Sequence, residues 1–386
     1  MERQPLGDHH GRARPRREAG LSRRRRPPAD PAAATDLFLA LTPERVLDAV
    51  EAAGLPCRPL CYPLNSFENR VYEVELADRS RVVAKFYRPG RWSREQLAEE
   101  HALLAAAAAA EIPVCPALPL PGGGTISEID GISYCVFPRR GGRAPEEVDA
   151  ALATRLGRLV ARLHNVAATL PARHRERLTS GEYVRRDLAW LAAGEWVPAA
   201  FAARYFAAAH AIADAFDERA AGFATQLLHG DLHLGNLLLR DELLHVVDFD
   251  DARIGPPVQD LWLLLPGRDA ATLELRARML AAYEELRLFD RRSLALIEPL
   301  RGLRLVHYAC WLARRWHDPV FPRTWPHFGS DDYWRQETES LEEQLAWIAG
   351  ERMADAAGHG RRPDAAAAEE ELTNRDLFWD WEEPES

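Results

Sequence analysis

Lysine is almost missing from this chain. Of its 49 basic residues only Lys85 is a lysine, and all the others are arginine. The high alanine, arginine and glycine content is what a GC-rich genome produces, with arginine codons displacing lysine codons. A lysine kept against that drift is one whose compact ammonium is needed. An ammonium meets phosphate oxygens as a point charge, which a guanidinium fork does not replace. Chance survival on a strand edge is the competing account.

Other absences narrow the class. The five cysteines (57, 61, 115, 135 and 310) are odd in number and scattered, with one near pair and no second pair to complete a zinc site. Reduced thiols and a cytoplasmic protein are expected. No apolar run approaches the length of a membrane span; Ala105 to Ala110 and Leu261 to Leu265 are too short. No signal-peptide apolar region follows the N-terminus. The net charge of −10 argues against nucleic acid as the main partner. A G-x-G-x-x-G phosphate loop is also missing.

What is present centres on Leu228 to Asp251, LHGDLHLGNLLLRDELLHVVDFDD. A polar loop, His229 to Asn236, precedes two apolar runs, Leu237–Leu239 and Leu243–Val247, separated by a polar turn. The pattern predicts loop, strand, turn, strand, with Asp231, Asn236 and Asp248 gathered at one edge. Phosphoryl transfer from ATP needs such a set: an Asp to orient the hydroxyl and take its proton, and an Asn and a second Asp to hold Mg²⁺. Four residues separate Asp231 from Asn236, as in the kinase catalytic loop, and Asp248 precedes Phe249 as in Asp-Phe-Gly. A zinc cluster of His229, Asp231 and His233 is the alternative, but it leaves Asn236 and Asp248 unexplained.

The 386 residues suffice for two lobes around a cleft. Residues 1–36 form an Arg-rich tail expected to lack a fixed structure. A nucleic-acid or lipid contact and a misassigned start codon are both open for it. An N-terminal nucleotide-binding lobe is expected over 37–137. It begins with helical periodicity from Asp36 to Ala53, where Thr42-Pro43 reads as a cap and first turn. Three antiparallel strands follow, with turns at 65–69 and 78–80 and Lys85 late in the third. The turn at 65–69 reads either as a phosphate cradle built from Ser66, Asn65 and Asn69 or as an ordinary hairpin loop. A helix over 93–110 opens on a Ser93/Gln96 capping box and offers Glu99 and Glu100 as partners for Lys85, with Glu100 preferred. Strands are expected at 124–129 and 132–137.

A hinge at 138–145, rich in Pro, Gly and Arg, separates this part from a helical lobe over 146–349. Helices are expected at about 146–168, 181–193, 198–220, 269–286, 290–316 and 331–349, with another opening near Asp260. Asp260 is expected to cap or support the catalytic loop. The aromatics between Leu305 and Trp334 are expected to pack between helices. His307, Arg314, Arg315 and His317 are candidates to face the cleft. Residues 350–386 form an acidic tail, expected to lack a fixed structure. The fold class is α+β, bilobal and protein-kinase-like.

His229-Gly230-Asp231-Leu232-His233-Leu234-Gly235-Asn236, with Val247-Asp248-Phe249-Asp250-Asp251, resembles the aminoglycoside phosphotransferase and choline kinase superfamily. Leu64 to Tyr72, Val83 to Trp92 and Arg314 to Pro319 narrow the resemblance to the bacterial stress-response kinase A family of Ser/Thr protein kinases. It covers roughly residues 37–349. It implies Asp231 as catalytic base, Asn236 and Asp248 on Mg²⁺, Ser66 at the ATP phosphates and Lys85 in contact with them. The chain departs from ordinary protein kinases at Gly230, where those have Arg, and at Asp250, where they have Gly. No Ala-Pro-Glu segment follows, so control by activation-loop phosphorylation is not expected. The expected activity is Mg-ATP-dependent transfer to a protein hydroxyl by a monomer. A small-molecule kinase acting on an aminoglycoside, choline, homoserine or sugar hydroxyl is the alternative, and a nucleotide-binding scaffold is a third.

Overall fold

The computed structural model describes residues 31–356, Asp241 excepted. Most of both expected tails lies outside the described residues. The boundaries differ at each end. Helix α1 (Pro31–Leu39) starts inside the expected N-terminal tail and buries Phe38 and Thr35. The last helix runs past 349, to Ala356.

The periodicity from Asp36 to Ala53 resolves into two helices, α1 and α2 (Pro43–Ala52). Thr42 Oγ1 accepts from Arg45 N at 3.4 Å and Pro43 fills the first turn. A five-stranded antiparallel sheet follows, built from β1 (Cys57–Leu64), β2 (Arg70–Leu76) and β3 (Arg81–Phe86), then, after helix α3 (Arg94–Ala109), β4 (Ser127–Ile129) and β5 (Ile132–Pro138). Its order is β1-β2-β3-β5-β4. β3 alternates strictly. Val82, Ala84 and Phe86 enter the core with Val46, Ala49 and Val50 of α2. Lys85, at the opposite parity, therefore faces α3 and the cleft. Strand β4 is shorter than the 124–129 run suggested, because Gly123 and Gly124 hold positive φ.

The remainder is mainly helical: α4 (Ala150–Ala167), a π-helical turn (Gly181–Arg185) leading into α5 (Arg186–Ala193), and α6 (Ala199–Ala220). Then come the short strands β6 (Gln226–Leu228), β7 (Leu237–Arg240), β8 (Leu243–Val246) and β9 (Arg253–Gly255). The helices α7 (Val258–Trp262), α8 (Ala270–Glu284), α9 (Ile297–Arg315), α10 (Val320–Thr324) and α11 (Asp331–Ala356) complete it. α4 and α8 pack backbone to backbone at Gly157, where a Cβ would stand 2.1 Å from Met279 O. The aromatics from Tyr308 to Trp334 pack among α6, α9 and α11, as expected.

The β7–β8 hairpin lies between the two parts of the molecule. Val246 N donates to Pro113 O at 2.8 Å, and Leu239 exchanges backbone bonds with Arg143 at 2.8 and 3.1 Å. The segment 138–145 thus runs over the hairpin that carries the catalytic sequence. Among the described residues no helix is long and apolar enough to cross a membrane.

Candidate active site

The catalytic loop leaves β6 and is fixed from below by α7. Asp260, wholly buried, accepts from His229 N and Gly230 N at 2.8 Å each, and His164 Nε2 lies 3.1 Å from the same carboxylate. Burial would raise the Asp260 carboxyl, but the His164 contact and the Gly230 amide hold it below the ordinary value. Asp260 is thus a support for the loop. Gly230 has φ +88°, and a Cβ there would meet Asp251 O at 2.2 Å. That close approach explains why the Arg of ordinary kinases is replaced here by glycine. His229 donates from Nε2 to Val247 O at 2.9 Å and accepts from Asp231 N at 3.4 Å. Both ring nitrogens are committed to backbone, which removes it as a zinc ligand.

The same bonds bring Asp231, Asn236 and Asp248 together. Asn236 Nδ2 donates to Asp231 O at 2.9 Å, and Val247 N donates to Asn236 O at 3.0 Å, next to Asp248. Asp248 sits in the left-handed region (φ +57°, ψ +67°) with its side chain 54% exposed. A non-glycine residue there costs roughly 1–2 kcal/mol, a strain that turns the carboxylate into the cleft. The Asp248 carboxylate and the Asn236 amide oxygen are hard donors open to the cleft. They suit Mg²⁺, which takes one or two protein oxygens and fills its shell with water and phosphate.

Lys85 lies opposite and is nearly buried. Its Nζ is 2.8 Å from Asp248, 3.3 Å from Asp250 and 4.0 Å from Glu100. Burial would lower its pKa, but these carboxylates outweigh it and raise it, so the ammonium stays charged. Glu100 is in this cluster, yet its tightest partner is Arg175 at 2.7 Å, so the expected Lys85–Glu100 pair is a looser contact than anticipated. Glu99 points elsewhere and accepts from the backbone N of Arg173, His174 and Arg175 at 2.6–3.1 Å. Asp250, in the position of the kinase glycine, is wedged between Lys85 and Arg91, and Arg91 also reaches Asp251 at 2.8 Å. Arg175 carries no sequence signal and was missed; it spans α3 and Asp250 by bonds to Gln96 O at 2.9 Å and Asp250 O at 2.6 Å.

The turn at 65–69 is tied to the helical side of the molecule. Ser66 Oγ accepts from Asn69 N at 3.4 Å, and the buried Asn69 side chain accepts from Arg88 N at 3.2 Å. Asn69 is therefore turned inward, away from any cradle. Glu68 accepts from Trp311 Nε1 at 2.8 Å and from both arms of Arg315 at 3.0 and 2.7 Å. Burial would raise Glu68, but Arg315, Arg91 and Arg88 bring it down to about 2. Asp318, fully buried, binds Arg70 at 2.9 Å and Arg88 at 3.3 Å. The Phe67 ring packs 4.8 Å from Trp325.

On the α9 side of the loop, Arg304 Nη1 donates to Asp231 Oδ1 at 2.6 Å and His233 Nε2 lies 3.5 Å from Oδ2. Burial would raise Asp231, but Arg304 and His233 hold it well below the usual carboxylate range. His307 stacks on Tyr183 with ring centres 4.4 Å apart, and Arg253 lies over that tyrosine at 4.6 Å. Arg314 forks onto Asp187 at 2.6 and 3.0 Å. Of the four cleft candidates on α9 and just beyond, His307 and Arg314 thus line this wall, Arg315 grips Glu68, and His317 is exposed.

Residues 60–297 match the phosphotransferase enzyme family, APH. The chain is 40% identical over 308 residues to the serine/threonine protein kinase RdoA of Salmonella typhimurium, covering 80% of this chain and 93% of the relative. It is 37% identical to stress response kinase A of Escherichia coli, with the same coverage. Its fold matches amicoumacin kinase hAmiN, solved with AMP-PNP, Ca²⁺ and Ami, with a TM-score of 0.65 at 19% identity over 80% of this chain and 96% of that one. With a kinase-like fold, a match to the phosphotransferase family and relatives this similar across nearly their whole length, the chain belongs to the stress response kinase A family of APH-type phosphotransferases.

Proposed function

We infer that this phosphotransferase moves the γ-phosphate of Mg-ATP in line to a serine or threonine hydroxyl of a protein, as a cytoplasmic monomer in a stress response. The observation that carries the reading is the convergence of Asp231, Asn236, Asp248 and Lys85 on one cleft, joined by bonds of 2.8–3.0 Å. The names of the relatives supply the protein acceptor and the stress context.

Asp231 is ionised and a weak base in the resting site. Its first task is to orient the acceptor hydroxyl, and it takes the proton late, once the new O–P bond is forming. Lys85 offsets charge on the nucleotide phosphates. The turn bearing Ser66 covers those phosphates, and Glu100 steadies Lys85 from behind. Asp248 and Asn236 would hold Mg²⁺, which supplies further charge neutralisation on the phosphates when bound. The free cysteines accord with a reducing compartment.

On the acceptor wall each carboxylate is matched by an arginine: Asp231 by Arg304, Asp251 by Arg91 and Arg253, and Asp187 by Arg314. A wall so balanced does not favour a polycationic aminoglycoside, which needs unpaired carboxylates. Radiolabelled ATP with Mg²⁺ and a generic protein substrate tests the reading. Label on serine or threonine is expected, falling about 10²–10⁴-fold in Asp231→Asn. No protein label, with turnover stimulated by a panel of amino alcohols, sugars or aminoglycosides, would replace it with the small-molecule kinase. ATP binding with no turnover in either assay would leave a scaffold.

A further inference from the structure

We propose that Arg304 is a second cation of the transfer step, set on the acceptor side, which orients the Asp231 carboxylate and meets the phosphoryl group on its way from nucleotide to acceptor. This rests on the phosphotransferase reading but not on the choice between protein and small-molecule acceptors.

Arg304 belongs to α9, 73 residues beyond the catalytic loop, and delivers its guanidinium to Asp231 Oδ1 at 2.6 Å. The pair is not a staple of the fold. Its side chains are 29% and 26% exposed, and partly solvated pairs contribute little to stability. α9 is already anchored by Leu300, Leu303, Val306 and Ala309, all buried. The contact therefore serves the cleft more than the core.

The charges around the cleft explain why a cation is needed here. Lys85 is surrounded by three carboxylates on the nucleotide side. Arg91, Arg175 and Arg253 are tied to Asp250, Glu100 and Asp251. Burial lowers the His233 imidazole below its ordinary value in spite of Asp231, and it lowers His307 to about 4. Arg304 keeps its charge at any working pH, and its guanidinium is the one in contact with Asp231. The transferring phosphoryl group spreads negative charge over its equatorial oxygens, which a planar guanidinium matches well. As the acceptor O–P bond forms, the bond from phosphorus to the ADP oxygen breaks and ADP leaves with the electron pair. The hydroxyl proton passes to Asp231, and Arg304 exchanges none.

Other ionisable groups facing Asp231 are His229 and His233 of its own loop, Tyr183 of the π-helical turn and Asp251 of the turn after Asp248. Removing Arg304 leaves all of these in place. The test follows ADP formation from Mg-ATP by the full chain, with the generic protein substrate and with water alone, in Arg304→Gln and Arg304→Lys. Turnover in Arg304→Gln is expected to fall about 100-fold, with KM for ATP and melting temperature unchanged. Arg304→Lys should recover a clear part of the loss. Turnover in Arg304→Gln close to wild type, no recovery in Arg304→Lys, or a loss that tracks the melting temperature in both variants would overturn the proposal. Wild-type protein that forms no ADP would instead sink the phosphotransferase reading beneath it.

Discussion

The two walls of the cleft are built differently. On the nucleotide side, Lys85, Glu100, Asp250 and Arg175 are buried and each touches at least two charged or backbone partners. On the transfer side, Asp231 and Arg304 are partly solvated and Asp248 is more than half exposed. The first wall is fixed before any ligand arrives, because charges buried this deeply are strongly destabilising when a partner is removed. The second is left open, as the proposed function requires of groups whose partners (acceptor, phosphate, metal) come from solution. Stability and turnover should therefore separate along this line.

The sharpest way to break the comparison is Asp248→Asn. It removes an exposed carboxylate from the proposed metal pair but leaves Lys85 an amide oxygen together with Asp250 and Glu100, so turnover should fall by three orders of magnitude or so while the thermal melt hardly moves. A large fall in melting temperature would erase the distinction between the walls. Asp260→Ala is next. It orphans the His229 and Gly230 amides, and a loss of about 3–5 kcal/mol in denaturant unfolding is expected together with lost turnover. Glu68→Gln probes the turn at 65–69. It weakens the Arg315 fork and should raise KM for ATP about 5–10-fold, the worth of roughly 1 kcal/mol or slightly more, with kcat little changed; an unaltered KM would mean that the turn does not touch the nucleotide.

The smallest effect is one of pH. His101 and His307 are each pushed by burial down to about 4, from an ordinary 6.5. The unfolded chain then binds protons that the folded chain refuses, so stability should decline as pH falls from 6.5 towards 4. Glu68 has the usual carboxylate sign: its contribution is complete above its ordinary 4.5 and disappears as pH falls to about 2. Melts at pH 7, 5 and 4 that superimpose would contradict the histidine assignment.

The grouping of Asp231, Asn236 and Asp248 was legible because it is local: they lie within eighteen residues joined by one hairpin. Lys85 was legible for a different reason, that composition left no other lysine. The partners that position these groups were not. Arg175 meets Glu100 across 75 residues, Arg304 meets Asp231 across 73 and Arg315 meets Glu68 across 247. One arginine among so many carries no local mark of its destination. Strands β6 and β9 were missed because three residues show no period. They exist because Leu227 and Ile254 pair directly behind the catalytic loop. The helical signal at 181–193 hid a π-helical turn, which carries Tyr183 on the acceptor wall.

The turn bearing Ser66 is held by Trp311 and Arg315, at least 243 residues later in the chain. A ribosome adding about 5–20 residues per second makes the turn on the order of ten to fifty seconds before its clasp. Through that interval the sheet can form and Lys85 can find Glu100, but Glu68 has neither Trp311 nor Arg315 to hold its turn. A nascent chain thus cannot fasten this turn until Trp311 and Arg315 have been made.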